Sequence, residues 1–181
     1  MESLAGQLLL ASPALFDPNF RRTVVLITEH GDEGAAGLVL NRPSEAAVAE
    51  AVPALAPVVE EHAHVYVGGP VQREAVLVLA EFEEPSEATS LVVGDIGFVG
   101  GDVDFELLGT ATRRLRVFAG YAGWGAGQLE AELEEGSWLV EPAEEMDLLA
   151  DPSTDLWASI LRAKGGVYRV LALMPEDPSA N

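Results

Sequence analysis

The sequence predicts an α+β protein with a mainly antiparallel sheet. Short runs rich in Val, Leu and Ile, bounded by Gly, Pro, Asn or Asp, follow one another in the pattern of β-strands. Helical segments fall singly between these runs, so the regular alternation of a doubly wound parallel sheet is missing. The runs 23–29 and 36–40 are joined through the turn residues 31–34, a connection typical of an antiparallel hairpin.

The other predicted elements follow the same patterns. Further strands are expected at 6–11, 65–67, 75–82, 90–93, 115–121, 137–140 and 168–173. Helices are expected at 44–61 with Ser44 as cap and breaks at Pro53 and Pro57, at 102–108, at 128–135, from Pro142 to 149, and after a cap at Asp151 or Ser153. The last helix gathers Leu156, Trp157, Ile160 and Leu161 on one apolar face, which is expected to face the core.

Length and composition predict one domain. With 181 residues and a hydrophobic fraction of 49%, the chain can build its own core, expected over residues 1–174. Pro175 and Pro178 interrupt an acidic end, so residues 175–181 are expected to form a loose tail. The absence of cysteine excludes disulfides, thiolate nucleophiles and cysteine-ligated metal sites.

Charge and hydropathy limit location and partners. Residues 1–16 lack a basic segment and carry Glu2, and no uncharged apolar run approaches the roughly 18 residues that span a bilayer, so a cytoplasmic location is expected. The formal net charge of −20 repels polyanions. Direct binding to nucleic acid or to an anionic membrane is therefore disfavoured.

Three blocks of sequence resemble one bacterial family. They are PALFDPNFRRTVVLITEHGDEGAAGLVLNRP at 13–43, VGGPV at 67–71, and GYAGWGAGQLEAEL at 120–133 followed by SWLVEPA. In order and separation they are similar to the YqgE/AlgH family, and the similarity runs from Gly6 to about Tyr168. The resemblance implies a bifurcated, partly barrel-like sheet surrounded by helices. It implies no established reaction, although some members carry the label of transcriptional regulator. Some members also have a cysteine where this chain has Thr28, so a thiol-based role does not transfer.

The arginines before the second predicted strand have two interpretations. Arg22 could clamp a carboxylate or phosphate with its bidentate guanidinium. Alternatively, it forms an internal pair with Asp17 or Glu29, as most buried arginines do. Because Arg21 and Arg22 are expected to alternate across a strand, at most one of them faces inward.

The histidines give little indication of a catalytic or metal-binding site. Glu29 and His30 are neighbours on a predicted strand and point to opposite faces, so they cannot share a proton. His62 and His64 share a face, as some metal sites require, but no third ligand accompanies them, and a surface pair is the simpler interpretation. No metal, cofactor or catalytic residue is assigned.

The glycine-rich segments also favour structural roles. The run at 120–128 leads from a strand into a helix, but Gln128 occupies the third glycine position of a dinucleotide-binding fingerprint. Small residues there would instead let the Tyr121 and Trp124 rings pack. The Gly-Gly-Pro turn at 68–70 permits positive φ or close approach of a neighbouring strand, and no phosphate-binding lysine follows it.

The sequence favours a non-enzymatic binding or regulatory protein whose partner is an unidentified protein or small molecule. Loops that present polar and aromatic side chains on a rigid scaffold are the usual sites of recognition. The expected surface comprises Asp17, Phe20, Arg22, Asn41, Arg42, Pro43, Gly68, Gly69, Pro70, Tyr121, Trp124 and Gln128. An enzyme of unrecognised class acting on a small metabolite is the alternative hypothesis, and a transcriptional regulator that contacts DNA is the third.

Overall fold

The computed structural model describes residues 1–176, so residues 177–181 of the predicted tail lie outside the described residues. The strands are β1 (Gln7–Ala11), β2 (Val24–Gly31), β3 (Gly34–Val39), β4 (Pro43–Ala47), β5 (His64–Val67), β6 (Val71–Phe82), β7 (Ser90–Val93), β8 (Ile96–Phe98), β9 (Thr112–Gly125) and β10 (Trp138–Pro142). The helices are α1 (Val48–Ala51), α2 (Phe105–Ala111), α3 (Gln128–Glu134), α4 (Glu145–Leu148), α5 (Leu156–Lys164) and α6 (Val167–Leu171). Short 3-10 turns cover Pro53–Val58 and Pro85–Glu87.

The strands form one 10-stranded, mostly antiparallel sheet, which confirms the α+β class. Its main path runs β10-β1-β2-β3-β9-β6-β8-β7, and the hairpin of β2 and β3 pairs as predicted. The sheet branches at β9, because one edge of this strand pairs with β3 through residues 122–125 and with β5, in parallel, through Phe118 and Ala119. The sheet is not closed into a barrel, because β10 and β7 end the path and do not pair with each other. The expected bifurcation of the sheet is therefore confirmed, but a closed barrel is not formed.

Two apolar layers lie on opposite faces of the β1–β3 half of the sheet. Alternation along β2 sends Val24 and Leu26 into one core cluster and Val25 and Ile27 into the other. The first cluster also contains Trp157 and its neighbours on α5, so this helix faces the core as predicted. The second is covered by α3. The sheet and these helices therefore hold the intervening loops on a rigid frame.

Three sequence expectations about elements are wrong. Residues 168–173 form no strand, because Tyr168, Leu171 and Ala172 pack on the core at helical spacing within and just after α6. Segment 44–61 begins as β4, where the Ser44 hydroxyl donates to the carbonyl of Val65 instead of capping a helix. Pro142 ends β10 and opens no helix.

Other helix boundaries differ in detail. The cap of α5 is Asp155, whose carboxylate accepts from the amide of Ala158. Asp151 instead accepts from the amide of Ser153 in the preceding turn. None of the helices within residues 1–176 combines the length and apolar character needed to cross a membrane.

Candidate functional site

Part of the expected loop surface converges on one shallow cavity of about 260 Å³, which we call the loop pocket. It lies where the segment before β2, the start of β4 and the turn between β5 and β6 meet. Its lining residues are Pro18, Asn19, Val39, Arg42, Pro43, Val67, Gly69, Pro70 and Arg73. Arg42, Pro43, Gly69 and Pro70 from the expected surface are thus brought together, with neighbours of Asp17.

Asn41 and Arg42 fasten these segments to one another. The side-chain oxygen of Asn41 accepts from the amide of Val24 at 2.9 Å, and its NH₂ group donates to the carbonyl of Arg22 at 2.9 Å. The Arg42 guanidinium donates to the carbonyls of Pro18 at 3.2 Å and Arg21 at 2.5 Å. Burial, reinforced by the charge of Arg21, lowers the pKa of Arg42. Arg42 therefore lines the pocket and, together with Asn41, ties the start of β4 to the turn before β2.

The two glycines of the Gly-Gly-Pro turn are needed for close approach to β9. A Cβ on Gly68 would lie 2.3 Å from the carbonyl oxygen of Gly120, and one on Gly69 would lie 2.1 Å from the carbonyl carbon of Tyr121. The amide of Gly68 also donates to the carbonyl of Ala119 at 2.9 Å. Any larger residue would push the turn off the strand, so the pocket wall requires glycine here.

Arg22 is engaged inside the protein, but its partners differ from the expected ones. Its guanidinium carbon lies 4.3 Å from the ring centroid of Trp157, and it donates to the carbonyl of Met174 at 2.8 Å. The carboxylate that it meets is Asp155, at 3.4 Å, so the expected pairing with Asp17 or Glu29 is wrong. Arg22 has φ +54°, in a turn that precedes β2. The expected alternation of Arg21 and Arg22 across a strand is therefore also wrong.

Phe20 and Trp124 belong to a packed aromatic cluster. Phe20 lies 6.1 Å from Trp124 and 5.7 Å from Trp138 between ring centroids. Both indole N–H groups donate to one carboxylate oxygen of Glu132, at 2.9 and 2.8 Å. Trp124 is buried, so it offers no exposed face for a partner, in agreement with the packing interpretation of the glycine-rich segment.

Tyr121 and Gln128 lie apart from the loop pocket. Tyr121 is on the opposite face of β9 from Trp124, because three positions separate them on a strand. It borders a separate apolar cleft of about 370 Å³ that also contains Thr28, Leu77 and Phe98. The Gln128 side-chain oxygen accepts from the amide of Gly125 at 3.0 Å and closes the turn into α3.

Both ring nitrogens of His30 form hydrogen bonds within the protein. Its Nδ1 accepts from the amide of Leu4 at 3.0 Å, so this nitrogen carries no proton. The other nitrogen, Nε2, lies 2.9 Å from a carboxylate oxygen of Glu130 and donates to it. The hydrogen bond from His30 lowers the pKa of the Glu130 carboxyl. Within residues 1–176, no group of three or more His, Asp or Glu side chains is placed to hold a metal ion.

A larger cavity lies on the other side of β5, and the sequence interpretation did not identify it. This arginine–tyrosine cavity, of about 580 Å³, is bounded by β5, by β9 and by the chain after α4. Its lining includes His64, Tyr66, Arg114, Arg116, Leu149 and Asp151. The signal in the sequence was the cluster Arg113, Arg114 and Arg116, three of only ten basic residues. His64 donates from Nδ1 to the carbonyl of Ser44 at 2.7 Å.

The family model described as AlgH-like matches residues 8–169 of the chain. This chain belongs to the AlgH-like family. A relative of the AlgH-like chain, the UPF0301 protein SCO2948 of Streptomyces coelicolor, is 42% identical over 187 residues that cover 100% of this chain and 97% of that protein. The UPF0301 protein Rv0038 of Mycobacterium tuberculosis is 42% identical over 182 residues, which cover 98% and 90% of the two chains.

Two solved structures are similar to the AlgH-like chain along most of its length. Protein DIP2367 from Corynebacterium diphtheriae superimposes with a TM-score of 0.85 at 29% identity, over 92% of this chain and 90% of that one. The AlgH protein from Pseudomonas aeruginosa superimposes with a TM-score of 0.74 at 35% identity, over 96% and 95%. The fold is therefore shared within the family.

The arginines of the AlgH-like chain differ in how far they are neutralised. Arg113 and Arg114 both pair with Glu81, at 3.2 and 2.8 Å, and these contacts, with the hydrogen bond from Arg114 foremost, lower the pKa of Glu81. Arg116 forms no salt bridge with any carboxylate of residues 1–176, and burial lowers its pKa. Its charge therefore remains available inside the arginine–tyrosine cavity.

Proposed function

We propose that this AlgH-like chain is a non-enzymatic binding protein that contacts its partner or small ligand through the loop pocket. The observation that carries this proposal is backbone strain beside the pocket wall, at Gln72, and in the turn that Asn41 and Arg42 tie to it, at Arg22. Within residues 1–176, the only non-glycine residues with positive φ are Arg22, at +54°, and Gln72, at +45°. Gln72 adjoins Arg73 in the pocket wall, and the carbonyl of Arg22 is held by Asn41.

Strain of this kind is informative because it must be held in place. A left-handed conformation costs a non-glycine residue on the order of 1–2 kcal/mol, and such outliers concentrate where a binding surface is pre-formed. At Arg22, the hydrogen bonds from Asn41 to its carbonyl and from Arg42 to the carbonyl of Arg21 supply the constraint. A pocket fixed before binding loses less conformational entropy when its ligand arrives.

The chemistry of the pocket favours a ligand with an acidic group beside an apolar surface. Arg73 is exposed and has no salt bridge or side-chain hydrogen bond among the described residues, so its charge is available to a carboxylate. Pro43, Val67 and Pro70 supply apolar walls. Loops from separate parts of the chain thereby place the unpaired charge of Arg73 beside apolar walls.

Binding is tested with variants that leave the frame intact. Substituting Arg22, Arg42 or Trp124 would damage the turn or the core, so Arg73→Ala is the informative change. Arg162→Ala, which removes an exposed arginine from α5, is the matched control. Carboxylate-bearing metabolites and acidic peptides are screened by thermal shift, and hits are mapped on ¹H–¹⁵N spectra.

The expected result is a set of amide shifts at Asn19, Arg42, Gly69 and 71–73. Arg73→Ala should weaken the affinity about tenfold, the value of one charged hydrogen bond, and Arg162→Ala should leave it unchanged. Hits that map elsewhere, or that bind Arg73→Ala as tightly as the parent, would refute the loop pocket as the site. Turnover of a hit would favour the enzyme alternative, and tight sequence-specific duplex binding at physiological salt would favour the regulator.

A further inference from the structure

The hydroxyl group of Tyr66 is exceptional in this protein. It is the only buried side-chain nitrogen or oxygen of the described residues without a hydrogen-bond partner, in a side chain that is 4% exposed. A buried hydroxyl without a partner costs roughly 1–3 kcal/mol. Tyr66 borders the arginine–tyrosine cavity, and the charges that act most on its phenol, those of Arg116 and Asp151, are also on the cavity wall.

Arg116 presents unused donors over the Tyr66 ring. Its guanidinium carbon lies 4.3 Å from the centroid of the Tyr66 ring, and one terminal nitrogen donates to the carbonyl of Ala150 at 2.6 Å. The other guanidinium donors have no partner among residues 1–176. A guanidinium offers five N–H groups in a planar fork that matches the oxygens of a carboxylate or phosphate.

We propose that the arginine–tyrosine cavity binds a small anionic molecule whose carboxylate or phosphate oxygens accept hydrogen bonds from the Tyr66 hydroxyl and the Arg116 guanidinium. Both groups donate, so the atom that satisfies them must accept. The apolar walls formed by Val59, Leu115 and Leu149 receive the remainder of the ligand.

The surroundings select a small anion over a polyanion. Arg113 and Arg114 are neutralised by Glu81 and Glu83, and Asp151 accepts from both the amide and the hydroxyl of Ser153 at the rim. A nucleic-acid backbone would meet these carboxylates and the −20 net charge of the chain. A single anionic group that passes the rim meets Arg116, which forms no salt bridge among the described residues.

This site is independent of the loop pocket. Tyr66 and Val67 are adjacent on β5 and point to opposite faces of the strand, and Val67 lines the loop pocket whereas Tyr66 lines the arginine–tyrosine cavity. Pro43 borders both cavities. Failure of binding at one site therefore leaves the other proposal standing.

The test is a titration of the full chain with inorganic phosphate and, separately, with succinate, at ionic strength held constant with chloride. Arginine side-chain and backbone resonances report the binding site. We expect saturable shifts at Tyr66 and Arg116 for at least one anion. Arg116→Gln should weaken binding about tenfold or more and Tyr66→Phe about threefold to tenfold, because each removes a donor to a charged group. Arg162→Gln is the control and should bind as the parent does.

Arg116→Lys separates charge from geometry, and it keeps the experiment decisive if the glutamine variant is poorly folded. It retains the cation but loses the fork, so its affinity should be reduced about threefold to tenfold. Equal affinity of the parent, Tyr66→Phe and Arg116→Lys would overturn the proposal. So would shifts that stay linear with both anions, or saturable shifts confined to the loop pocket.

Discussion

Two arginines in this protein stack on aromatic rings with the same spacing, yet their surroundings differ. Arg22 over Trp157 and Arg116 over Tyr66 each place the guanidinium carbon 4.3 Å from the ring centroid, and each donates to a backbone carbonyl. Arg22 also meets the carboxylate of Asp155, whereas Arg116 meets none among the described residues. An arginine is therefore available for binding only where its internal partners are incomplete.

The aromatic rings of the two pairs also differ in whether their polar atom has a hydrogen-bond partner. The indole N–H of Trp157 donates to the carbonyl of Ala11 at 2.8 Å, so its polar atom is satisfied inside the fold. The hydroxyl of Tyr66 has no partner within residues 1–176. The Arg22–Trp157 pair is therefore a structural unit, and the Arg116–Tyr66 pair carries the features of a site.

The largest expected effect is at Trp157, which is 1% exposed. Trp157→Ala removes a buried ring and its hydrogen bond, so the free energy of unfolding should fall by about 3–5 kcal/mol. Urea denaturation of the parent and the variant measures the loss. A loss below about 1 kcal/mol would mean that the Arg22–Trp157 pair is not a structural unit.

Arg22 gives a smaller effect that also tests backbone strain. Arg22→Ala should lower the free energy of unfolding by about 1–3 kcal/mol, because it loses the ring contact and the bond to Met174. Arg22→Gly loses the same contacts but accepts φ +54° without a Cβ, so it should be about 1 kcal/mol more stable than Arg22→Ala. Denaturation of both variants decides the matter, and an alanine variant that equals or exceeds the glycine variant in stability would contradict the strain.

Tyr66→Phe should have a small effect of opposite sign in buffer without candidate anions. Because the hydroxyl has no partner in the described structure, its removal should leave stability unchanged or raise it by roughly 1 kcal/mol. The melting temperature is compared for Tyr66→Phe and for Tyr168→Phe, whose hydroxyl lies outside the cavity. A clear loss of stability specific to Tyr66→Phe would show that the hydroxyl is already satisfied.

The smallest effect concerns Glu81, and its dependence on pH is confined to acid. Its folded pKa is lowered from 4.5, chiefly by the hydrogen bond from Arg114, so its contribution to stability is present above pH of about 4.5 and is lost as pH falls through the folded pKa. Glu81→Gln should therefore be less stable than the parent near pH 6, and the difference should shrink below about pH 4. Denaturation midpoints of the parent and Glu81→Gln between pH 3 and pH 6 test this. A stability difference that grows as the pH falls would contradict the prediction.

Much of the fold could be predicted from local pattern. The β2–β3 hairpin, the core face of α5 and the start of α3 were correct because period and turn chemistry agree there. The strand prediction for 168–173 failed because Tyr168 and Val170 favour strands, whereas the packing of Leu171 and Ala172 on the core favours a helix. Branching at β9 depends on non-local pairing, so only the family resemblance implied it.

The candidate site was harder to predict, for a different reason. The sequence shows that Arg22, Arg42 and Arg116 exist, but not which carbonyls and carboxylates already occupy them. Arg42 is fixed by Pro18 and Arg21, and Trp124 is held by Glu132, contacts that join distant segments. The Tyr66 hydroxyl became informative only when every other buried side-chain polar atom of residues 1–176 proved to be satisfied.

The bond between Arg22 and the carbonyl of Met174 fastens a late segment of the chain to the turn that begins β2. Proteolytic trimming that reached this segment would release the guanidinium from its anchor and uncover one face of the Trp157 indole. Tryptophan emission would then shift to longer wavelength while the sheet stayed intact. The contribution of Trp157, one of three tryptophans in the chain, to this emission thus reports whether residues near 174 keep their contact with Arg22.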